Sequence, residues 1–388
     1  MIGVDKRVNV RILFGMGQED HTYRDALTDG PAHRRGAGLN PGNRFEDVRL
    51  HVLGEELDRR WVEREEAGGG LTRVERRVYE DQTRTIINRV AKTSDMPFDW
   101  TVNPYRGCEH GCIYCFARPY HEYLGFSCGL DFETKLMAKP RAAELLTKEL
   151  ARPTWRGEPI VMSAITDIYQ PIEHELRVAR ACLEVMADCG QPVSTMTKSA
   201  MVLRDVDLWA KLASMNAGRV TVTLVTLDAE LAQKIEPRAT LPVGRLRAIR
   251  ELTEAGVPVT VNIAPIIPGL TDAELPRILE AAADAGARRA SWVMLRLPYQ
   301  VKDLFLDWLE RSVHPERAKK VESLIRQMRG GKLYDARVAR GRGVGALSET
   351  IAKNFDVFTR RYGLNRDMRP LSSAHFRRPE TGGQLGLW

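Results

Sequence analysis

The sequence has few cysteines and no long apolar run. Only six of its 388 residues are cysteine, and three of those fall within eight residues, which does not fit a disulfide framework. No apolar stretch approaches the roughly 20 residues that a membrane span requires. The segment VRILFGM near the amino terminus is too short and too poorly flanked for a signal peptide. We therefore expect a cytoplasmic protein in a reducing compartment, without a membrane partner.

The three clustered cysteines, Cys108, Cys112 and Cys115, have the spacing C-x3-C-x2-C inside the string NPYRGCEHGCIYCFARP. Gly107 and Gly111 give the backbone the freedom to fold three thiolates around one centre. A structural zinc site takes four ligands, usually from two distant C-x2-C pairs, and no fourth cysteine stands at a comparable spacing. Iron–sulfur clusters are also ligated by thiolates, so the run favours a cluster. Zinc, or a cysteine-rich loop without metal, is the alternative.

The positive charge is concentrated near the carboxyl terminus. The whole chain has a net charge of +7, whereas residues 311–388 contain 17 Lys and Arg against 7 Asp and Glu. This concentration predicts contact with a polyanion, and a solvated basic face is the alternative. We expect a basic helical extension over residues 315–388, with nucleic acid as its candidate partner.

Short apolar runs alternate with segments of helical periodicity through the middle of the chain. The runs predict six strands, over residues 98–103, 158–164, 192–197, 219–225, 257–264 and 290–297. The periodic segments predict helices over residues 174–187, 203–213, 272–285, 302–311 and 315–328, and another that ends at Gly256. Thr271 is the predicted N-cap of the helix that begins at residue 272.

Repeated strand–helix units require right-handed crossovers and a parallel sheet. Six units are too few for a closed eightfold barrel, so we predict an α/β fold with a partial (β/α)6 barrel over residues 96–314. A flat doubly wound sheet is the alternative. Residues 1–95 are rich in Gly, Pro and Arg and lack a helical apolar stripe, which predicts an irregular extension that wraps the core or is partly disordered.

Polar residues follow the predicted strands at their carboxyl ends, where the active sites of parallel barrels collect. They are Thr166, Asp167, Gln170 and Glu173 after the second strand, Lys198 and Ser199 after the third, Thr226, Asp228, Glu236 and Arg238 after the fourth, Asn262 and Ala264 in the fifth, and Arg296 after the sixth. Each also has a simpler explanation: Lys198 as a surface lysine, for example, or Glu236 and Arg238 as partners of each other. Together they predict a ring of polar groups above the barrel.

The cysteine run resembles the hallmark of the radical SAM superfamily, C-x3-C-x-aromatic-C, with Tyr114 at the aromatic position. The strings TDIYQPIE, TKSAMVLRD, APIIPGLTD and LIRQMRGGKLYD are similar to those of radical SAM proteins grouped with DNA-repair photolyases, relatives of spore photoproduct lyase. The resemblance extends from about Pro31 into the 330s. It departs at Ile165 and Ile168, which replace a polar residue and a proline of the usual pattern.

The resemblance implies a [4Fe–4S] cluster on Cys108, Cys112 and Cys115, with an open iron that binds S-adenosylmethionine (SAM). A donor such as flavodoxin or ferredoxin would supply one electron, which would cleave SAM to methionine and a 5′-deoxyadenosyl radical. The resemblance also implies cofactor-binding residues, which are Tyr114, Ser163, Thr166, Asp167, Lys198, Ser199, Asn262 and Ala264.

Cys128 stands where members of this group commonly carry another residue. It is a candidate hydrogen-atom donor, and a loop cysteine without function is the alternative. His110, inside the motif, is expected to tune the cluster through hydrogen bonding, whereas His121 is expected to pack the loop.

Three functions remain open at this point. The first is a radical enzyme that repairs or modifies a nucleic acid. The second is the same chemistry on a protein or small molecule. The third, from another class, is a non-catalytic, metal-bearing module that binds nucleic acid.

Overall fold

The structure is a computed structural model that describes residues 34–45, 74–91, 96–334 and 341–380, together with two short strands near the amino terminus. Most of the extension predicted over residues 1–95 therefore lies outside the described residues. The two short strands, β1 (Tyr23–Arg24) and β2 (Val52–Leu53), pair in antiparallel orientation.

A seven-stranded sheet forms the centre of the protein. In chain order its strands are β4 (Ile87–Arg89), β5 (Trp100–Val102), β8 (Ile160–Met162), β9 (Val193–Thr197), β10 (Gly218–Thr223), β11 (Val259–Ile266) and β12 (Arg289–Met294). The last six are parallel to one another and lie side by side in chain order, while β4 is antiparallel at the edge beside β5. A doubly wound sheet reverses its strand order at a switch point, and this sheet does not. The six predicted strands and the partial-barrel order are confirmed.

Helices follow the parallel strands. They are α1 (Asp131–Thr134), α2 (Ala142–Leu150), α3 (Glu173–Leu176), α4 (Val178–Asp188), α5 (Val206–Ser214), α6 (Ala229–Ile235), α7 (Pro242–Glu254), α8 (Leu275–Asp284), α9 (Val301–Ser312), α10 (Pro315–Met328) and α11 (Ala346–Arg361), with 3-10 turns at Arg118–Leu124, Ala200–Asp205 and Asp272–Glu274. Within the described part of the chain, no helix is long and apolar enough to cross a membrane.

The helix ends follow local chemistry, with one exception. Gly256 follows α7 with φ of 81°, a conformation that glycine adopts at little cost, as predicted for the end of this helix. Thr271 does not cap the next helix. Its Oγ1 accepts a hydrogen bond from the backbone N–H of Ile267 (2.9 Å), so the hydroxyl closes the preceding turn instead.

Two segments before residue 95 contribute strands. β3 (Arg77–Glu80) pairs in parallel with β7 (Lys135–Ala138), which pairs in turn with β6 (Tyr105–Arg106) in a small three-stranded sheet. β4 extends the central sheet. Both β3 and β4 are largely exposed and therefore lack the apolar alternation that would have predicted them.

Two apolar clusters hold the layers together. The larger lies between the central sheet and the helices that cover it. The second joins Cys112, Ile113 and Tyr114 of the cysteine loop to α9 and α10. The loop is thus packed into the fold by its own apolar residues.

The basic carboxyl-terminal segment lies along the amino ends of the parallel strands. Asn365 bridges Arg289 at the start of β12, and Arg369 O accepts from Arg219 at the start of β10 (2.6 Å). Further on, Arg378 donates to the backbone oxygens of Arg152, Pro153 and Trp155, ahead of β8 (3.1–3.4 Å). The segment therefore runs across the edge of the sheet opposite the cysteine loop.

Candidate active site

The cysteine loop follows β5 and β6 at the carboxyl edge of the central sheet. All three cysteines are free thiols; Cys108 and Cys112 are buried and Cys115 is half-buried. The backbone N–H of Cys108 donates to Phe132 O (2.9 Å), and that of Ile113 donates to Ile235 O (3.1 Å). The loop is thereby fixed to α1 on one side and to α6 on the other.

Two glycines let the loop turn and pack closely. Gly107 has φ of 78° and Gly111 φ of 68°, values that strain other residues. A Cβ on Gly111 would lie 2.7 Å from a carboxylate oxygen of Glu133. Both glycines are therefore required by conformation and by space.

A fully buried ion pair supports the loop from below. Arg118 pairs with Glu133 (2.5 Å) and also donates to the backbone oxygens of Cys112 (3.0 Å) and Gly129 (2.9 Å). Glu133 accepts in addition from the backbone N–H groups of Gly36 and Ala37 (3.0 and 2.9 Å), residues of the amino-terminal segment. Every member is satisfied, so the pair acts as a rigid base for the cysteines.

A second buried network fixes Tyr114, the aromatic residue of the motif. Its hydroxyl donates to the carboxylate of Glu236, which also pairs with Arg245. Burial works against ionisation, but Arg245 and then Lys198 hold the pKa of Glu236 below its ordinary value. Arg238 is not a partner of Glu236: it pairs with the buried Glu109 (3.1 Å), so the simpler explanation of these two residues as partners of each other is wrong.

Lys198 follows β9 and points its ammonium toward the cysteines. Its Nζ lies 6.0 Å from the ring centre of Tyr114 and forms no hydrogen bond or ion pair with any described residue. Burial raises the pKa of Cys112, and Lys198 acts in the opposite sense. Burial also raises the pKa of Cys115, against which Arg118 acts. These two cations therefore favour the thiolate forms that metal binding needs.

The side chains of Asp167 and Thr166 form hydrogen bonds within the protein. The carboxylate of Asp167 accepts from Thr197 Oγ1 (2.9 Å) and from the backbone N–H of Lys198 (2.8 Å), and it lies 3.4 Å from His110 Nδ1. Burial lowers the pKa of His110, but Asp167 and then Cys108 outweigh it and raise that pKa to about 10. Thr166 Oγ1 donates to Tyr105 O (3.0 Å). These side chains position the loop and the neighbouring strand ends.

The same holds for Gln170 and Glu173. Gln170 accepts from the backbone N–H of Glu109 (2.9 Å) and donates to Gly107 O (3.2 Å), so its amide clamps the cysteine loop. Glu173 accepts from the Tyr105 hydroxyl (2.5 Å). These polar groups thus support the cysteine loop and the strand before it, and their part in a cofactor pocket stays a prediction.

The other predicted cofactor residues lie along the carboxyl ends of β8, β9 and β11. Ser163 has φ of 81°, a strained value for a residue with a side chain, and its hydroxyl donates to Met196 O (2.5 Å). Ser199 caps the following 3-10 turn by accepting from the N–H of Met201 (3.2 Å). Asn262 accepts from Ser291 Oγ (2.9 Å), and Ala264 is half-buried two residues further on.

Cys128 is fully buried on the side of the loop that the amino-terminal segment covers. Its Sγ lies 3.5 Å from Gln300 Oε1, and Gln300 donates to Gly42 O (2.9 Å). Burial raises the pKa of Cys128 to about 12, so it stays a thiol. A hydrogen-atom donor must be a thiol, and the assignment of that role to Cys128 stays a prediction.

A cavity of about 470 Å³ opens beside the cysteine loop. It borders the loop at Gly107, Phe116 and Ala117, and the end of β8 at Ala164 and Ile165. Its other lining residues are largely aromatic and basic, and none of the described lining residues is Asp or Glu. This cavity was not predicted, because its wall combines the exposed strand β4 with the turn Arg118–Leu124, which no sequence periodicity joins.

The donor set fits an iron–sulfur cluster. Three free thiols project from one eight-residue loop above cations that favour their ionised forms. Among the described residues, no three His, Cys, Asp or Glu side chains converge as they would around a single metal ion. A cubic cluster does not need that arrangement, because each thiolate ligates a different iron.

Comparisons with known proteins agree with this geometry. The model of the family described as "Radical SAM superfamily" matches residues 102–282. An uncharacterised protein of Mycobacterium tuberculosis is 37% identical over 251 residues, which cover 64% of this chain and 74% of that protein. A radical SAM Nα-GlyT isomerase of Pseudomonas phage M6 is 21% identical over 231 residues, covering 59% of this chain and 46% of the isomerase.

Solved structures of spore photoproduct lyase share the fold. A cysteine-to-serine mutant of the lyase gives a TM-score of 0.51 at 16% identity, covering 74% of this chain and 77% of the lyase. A double mutant with bound AdoMet and dinucleoside spore photoproduct gives a TM-score of 0.50 at 17% identity, with the same coverage. The chain belongs to the radical SAM superfamily of enzymes.

Proposed function

We propose that Cys108, Cys112 and Cys115 hold a [4Fe–4S] cluster that binds SAM at its open iron, and that the enzyme acts on a nucleic acid. The observation that carries the first part is the cysteine loop itself, which lies at the carboxyl edge of a six-stranded parallel sheet and is braced by the Arg118–Glu133 pair. When bound and reduced, the cluster would supply one electron to the sulfonium of SAM, and the cleavage would give methionine and a 5′-deoxyadenosyl radical that takes a hydrogen atom from the substrate.

The protein's own part is to hold and orient. Arg118 and Lys198 offset the negative charge of the three thiolates. Lys198 has no anionic partner among the described residues. A carboxylate such as that of the SAM methionine group would form an ion pair with it. The bonds from Tyr114 to Glu236 and from Glu236 to Arg245 fix the aromatic ring beside this ammonium.

An exposed aromatic surface near the loop supports a nucleic-acid substrate. Phe45, Tyr123 and Tyr120 follow one another with ring centres 4.9 and 6.4 Å apart, and all three are more than half exposed. The Arg44 guanidinium lies 5.1 Å from the ring of Phe45 and 3.9 Å from that of Tyr299. Aromatic rings interleaved with arginine are what single-stranded nucleic acids stack on.

The related fold points the same way. Spore photoproduct lyase, whose fold this chain shares, has been solved with a dinucleoside spore photoproduct bound. The basic carboxyl-terminal segment lies at the other edge, so the proposal rests on Arg44 and its aromatic neighbours rather than on that segment.

Anaerobic reconstitution with iron and sulfide tests the chemistry. The protein should acquire about four irons and, on reduction, convert SAM to 5′-deoxyadenosine and methionine. A protein that takes up only one zinc or iron, or that leaves SAM intact after reduction, is not the enzyme proposed. Binding of nucleic acid should weaken steeply with salt, since phosphate contacts release counterions.

A further inference from the structure

The cavity beside the cysteine loop contains a buried lysine whose ammonium has no partner among the described residues. Lys139 is 5% exposed and lines the cavity. Its Nζ forms no hydrogen bond with any described residue and no ion pair within 4.0 Å. The acid that acts on it, Asp81, already pairs with Arg106 at 2.8 Å. The ammonium of Lys139 is therefore available to pair with an anion that enters the cavity.

A buried histidine lines the same cavity. His121 is 1% exposed, and neither of its ring nitrogens has a hydrogen-bond partner among the described residues. Its ring packs against Phe126 and Phe132, with centres 5.2 and 5.6 Å away. Burial lowers the pKa of His121 to about 4, so the ring is neutral and offers one donor and one acceptor.

The remaining wall is aromatic and positive. Phe98, Phe116, Tyr120 and Tyr123 line the cavity, as do Arg89 and Arg106. None of the described lining residues is Asp or Glu. This disfavours SAM as the occupant of the cavity, because its sulfonium and ammonium are both cationic. The volume of about 470 Å³ suits a small organic group rather than a folded peptide segment.

We propose that this cavity receives one nucleotide of a nucleic-acid strand, with Lys139 meeting its phosphate and the aromatic wall stacking its base. Tyr120 and Tyr123 belong both to the wall and to the exposed surface with Phe45, so a strand lying on that surface can turn one base inward. His121 then supplies the hydrogen bonds to the polar edge of the nucleotide. This inference rests on the nucleic-acid substrate proposed above and names the groups that recognise it.

The test compares Lys139→Met with Lys148→Met. Lys148 is exposed and pairs with Glu144, so its variant removes the same charge away from the cavity. Binding of fluorescein-labelled single strands of DNA and RNA, about twelve nucleotides long to span a typical single-strand site, is followed by anisotropy from low to high salt. We expect Lys139→Met to weaken binding roughly tenfold or more and to reduce the slope against salt by about one ion. Lys148→Met should change neither.

Two further variants separate recognition from folding. Lys139→Arg keeps the charge and should bind within a few-fold of the unaltered protein. Lys139→Met should keep or raise Tm, because methionine fills a similar volume without a buried charge. His121→Phe should weaken binding without changing the salt slope, since it removes hydrogen bonds and no charge.

The outcomes distinguish this inference from the proposed function. If Lys139→Met binds both strands as the unaltered protein does, or if Tm falls sharply in both Lys139 variants, the cavity assignment is overturned while the radical chemistry stands. If the unaltered protein binds neither strand, both the cavity assignment and the nucleic-acid substrate fail. Cleavage of SAM in the absence of nucleic acid, measured as 5′-deoxyadenosine, reports on the radical chemistry alone and should be equal in all these variants.

Discussion

The two edges of the parallel sheet use cationic side chains differently. At the amino edge, Arg378 donates to three backbone oxygens and Arg219 donates to a fourth. Both guanidinium groups therefore attach the carboxyl-terminal segment to the sheet. At the carboxyl edge, the ammonium of Lys198 has no anionic partner among the described residues, and neither does that of Lys139 in the cavity beside the cysteine loop. A surplus of positive charge in the sequence therefore does not locate a binding surface. Cations that lack a hydrogen-bond or ion-pair partner among the described residues, such as Lys198 and Lys139, are a better guide.

The largest effect is expected from removing a cluster ligand at the carboxyl edge. Cys112→Ala should abolish both the uptake of about four irons and SAM cleavage, because two thiolates cannot hold the cluster in place. Iron content and 5′-deoxyadenosine formation measure this directly. Cys182→Ala, which changes a core cysteine of α4, is the control and should retain both. Equal iron in the two variants would contradict the ligand assignment.

The next effect concerns the buried pair beneath the loop. Arg118→Met leaves the carboxylate of Glu133 buried without its cation, which should lower the free energy of unfolding by about 3–5 kcal/mol. Urea denaturation of the apoprotein measures the change. Arg141→Met removes an exposed arginine that pairs with Glu144, and it should leave the free energy of unfolding nearly unchanged, because exposed ion pairs contribute little. Similar losses in the two variants would show that the pair does not brace the loop.

Lys198→Met tests whether the ammonium at the end of β9 contributes to SAM binding. If Lys198 meets the SAM carboxylate, its loss should weaken SAM binding roughly tenfold and leave iron content unchanged. Equilibrium dialysis with labelled SAM measures the affinity. Lys211→Met, at an exposed lysine paired with Asp188, serves as the matched control. Unchanged SAM affinity in Lys198→Met would assign Lys198 to the cluster charge alone.

Acid should affect the cavity through His121. The pKa of this histidine is about 4 in the folded protein, against about 6.5 in an unfolded chain. Between these values the unfolded state binds more protons, so the free energy of unfolding falls as pH drops from about 6.5 toward about 4. His121→Gln should remove this part of the decline. The difference between the two urea-denaturation pH profiles tests it, and parallel profiles would show that His121 is not buried neutral.

The smallest effects contrast the two edges directly. Tyr123→Ala, at the carboxyl edge, should weaken the binding of single strands several-fold with little change in Tm, because it removes an exposed ring of the stacking surface. Arg378→Ala should do the reverse: Tm falls slightly and binding is unchanged. Anisotropy and thermal unfolding on both variants check this. A loss of binding in Arg378→Ala alone would move the nucleic-acid surface to the amino edge.

The order of the sheet and the position of the cysteine loop were predictable because both depend on local patterns. Six apolar runs separated by periodic segments require parallel strands, and C-x3-C-x2-C lies within one turn of chain. The partners of the site were not predictable. Glu133 follows Arg118 by fifteen residues, and Gly36 precedes Glu133 by 97, so only folding brings them together.

Polar strand ends indicated the edge at which the cysteine loop lies, whereas their roles as cofactor-binding residues stay predictions. Asp167 was predicted to bind the cofactor, and in the structure its carboxylate accepts a hydrogen bond from Thr197, while Gln170 accepts one from the backbone of the cysteine loop. No sequence pattern indicated a role for Lys139, because it follows β7 of the small sheet and lies outside every motif. Whether a polar side chain finds a hydrogen-bond partner depends on how the protein packs, and no local sequence pattern predicts it.

The central claim is that radical chemistry at the carboxyl edge acts on nucleic acid. Nucleic acid purified from cells grown in deuterated medium, incubated with reduced enzyme and unlabelled SAM, should transfer carbon-bound deuterium into 5′-deoxyadenosine, detected by mass spectrometry. Deuterium should be absent without nucleic acid. If 5′-deoxyadenosine forms without deuterium, and only deuterated protein or small-molecule extract supplies the label, the assignment of a nucleic-acid substrate is contradicted.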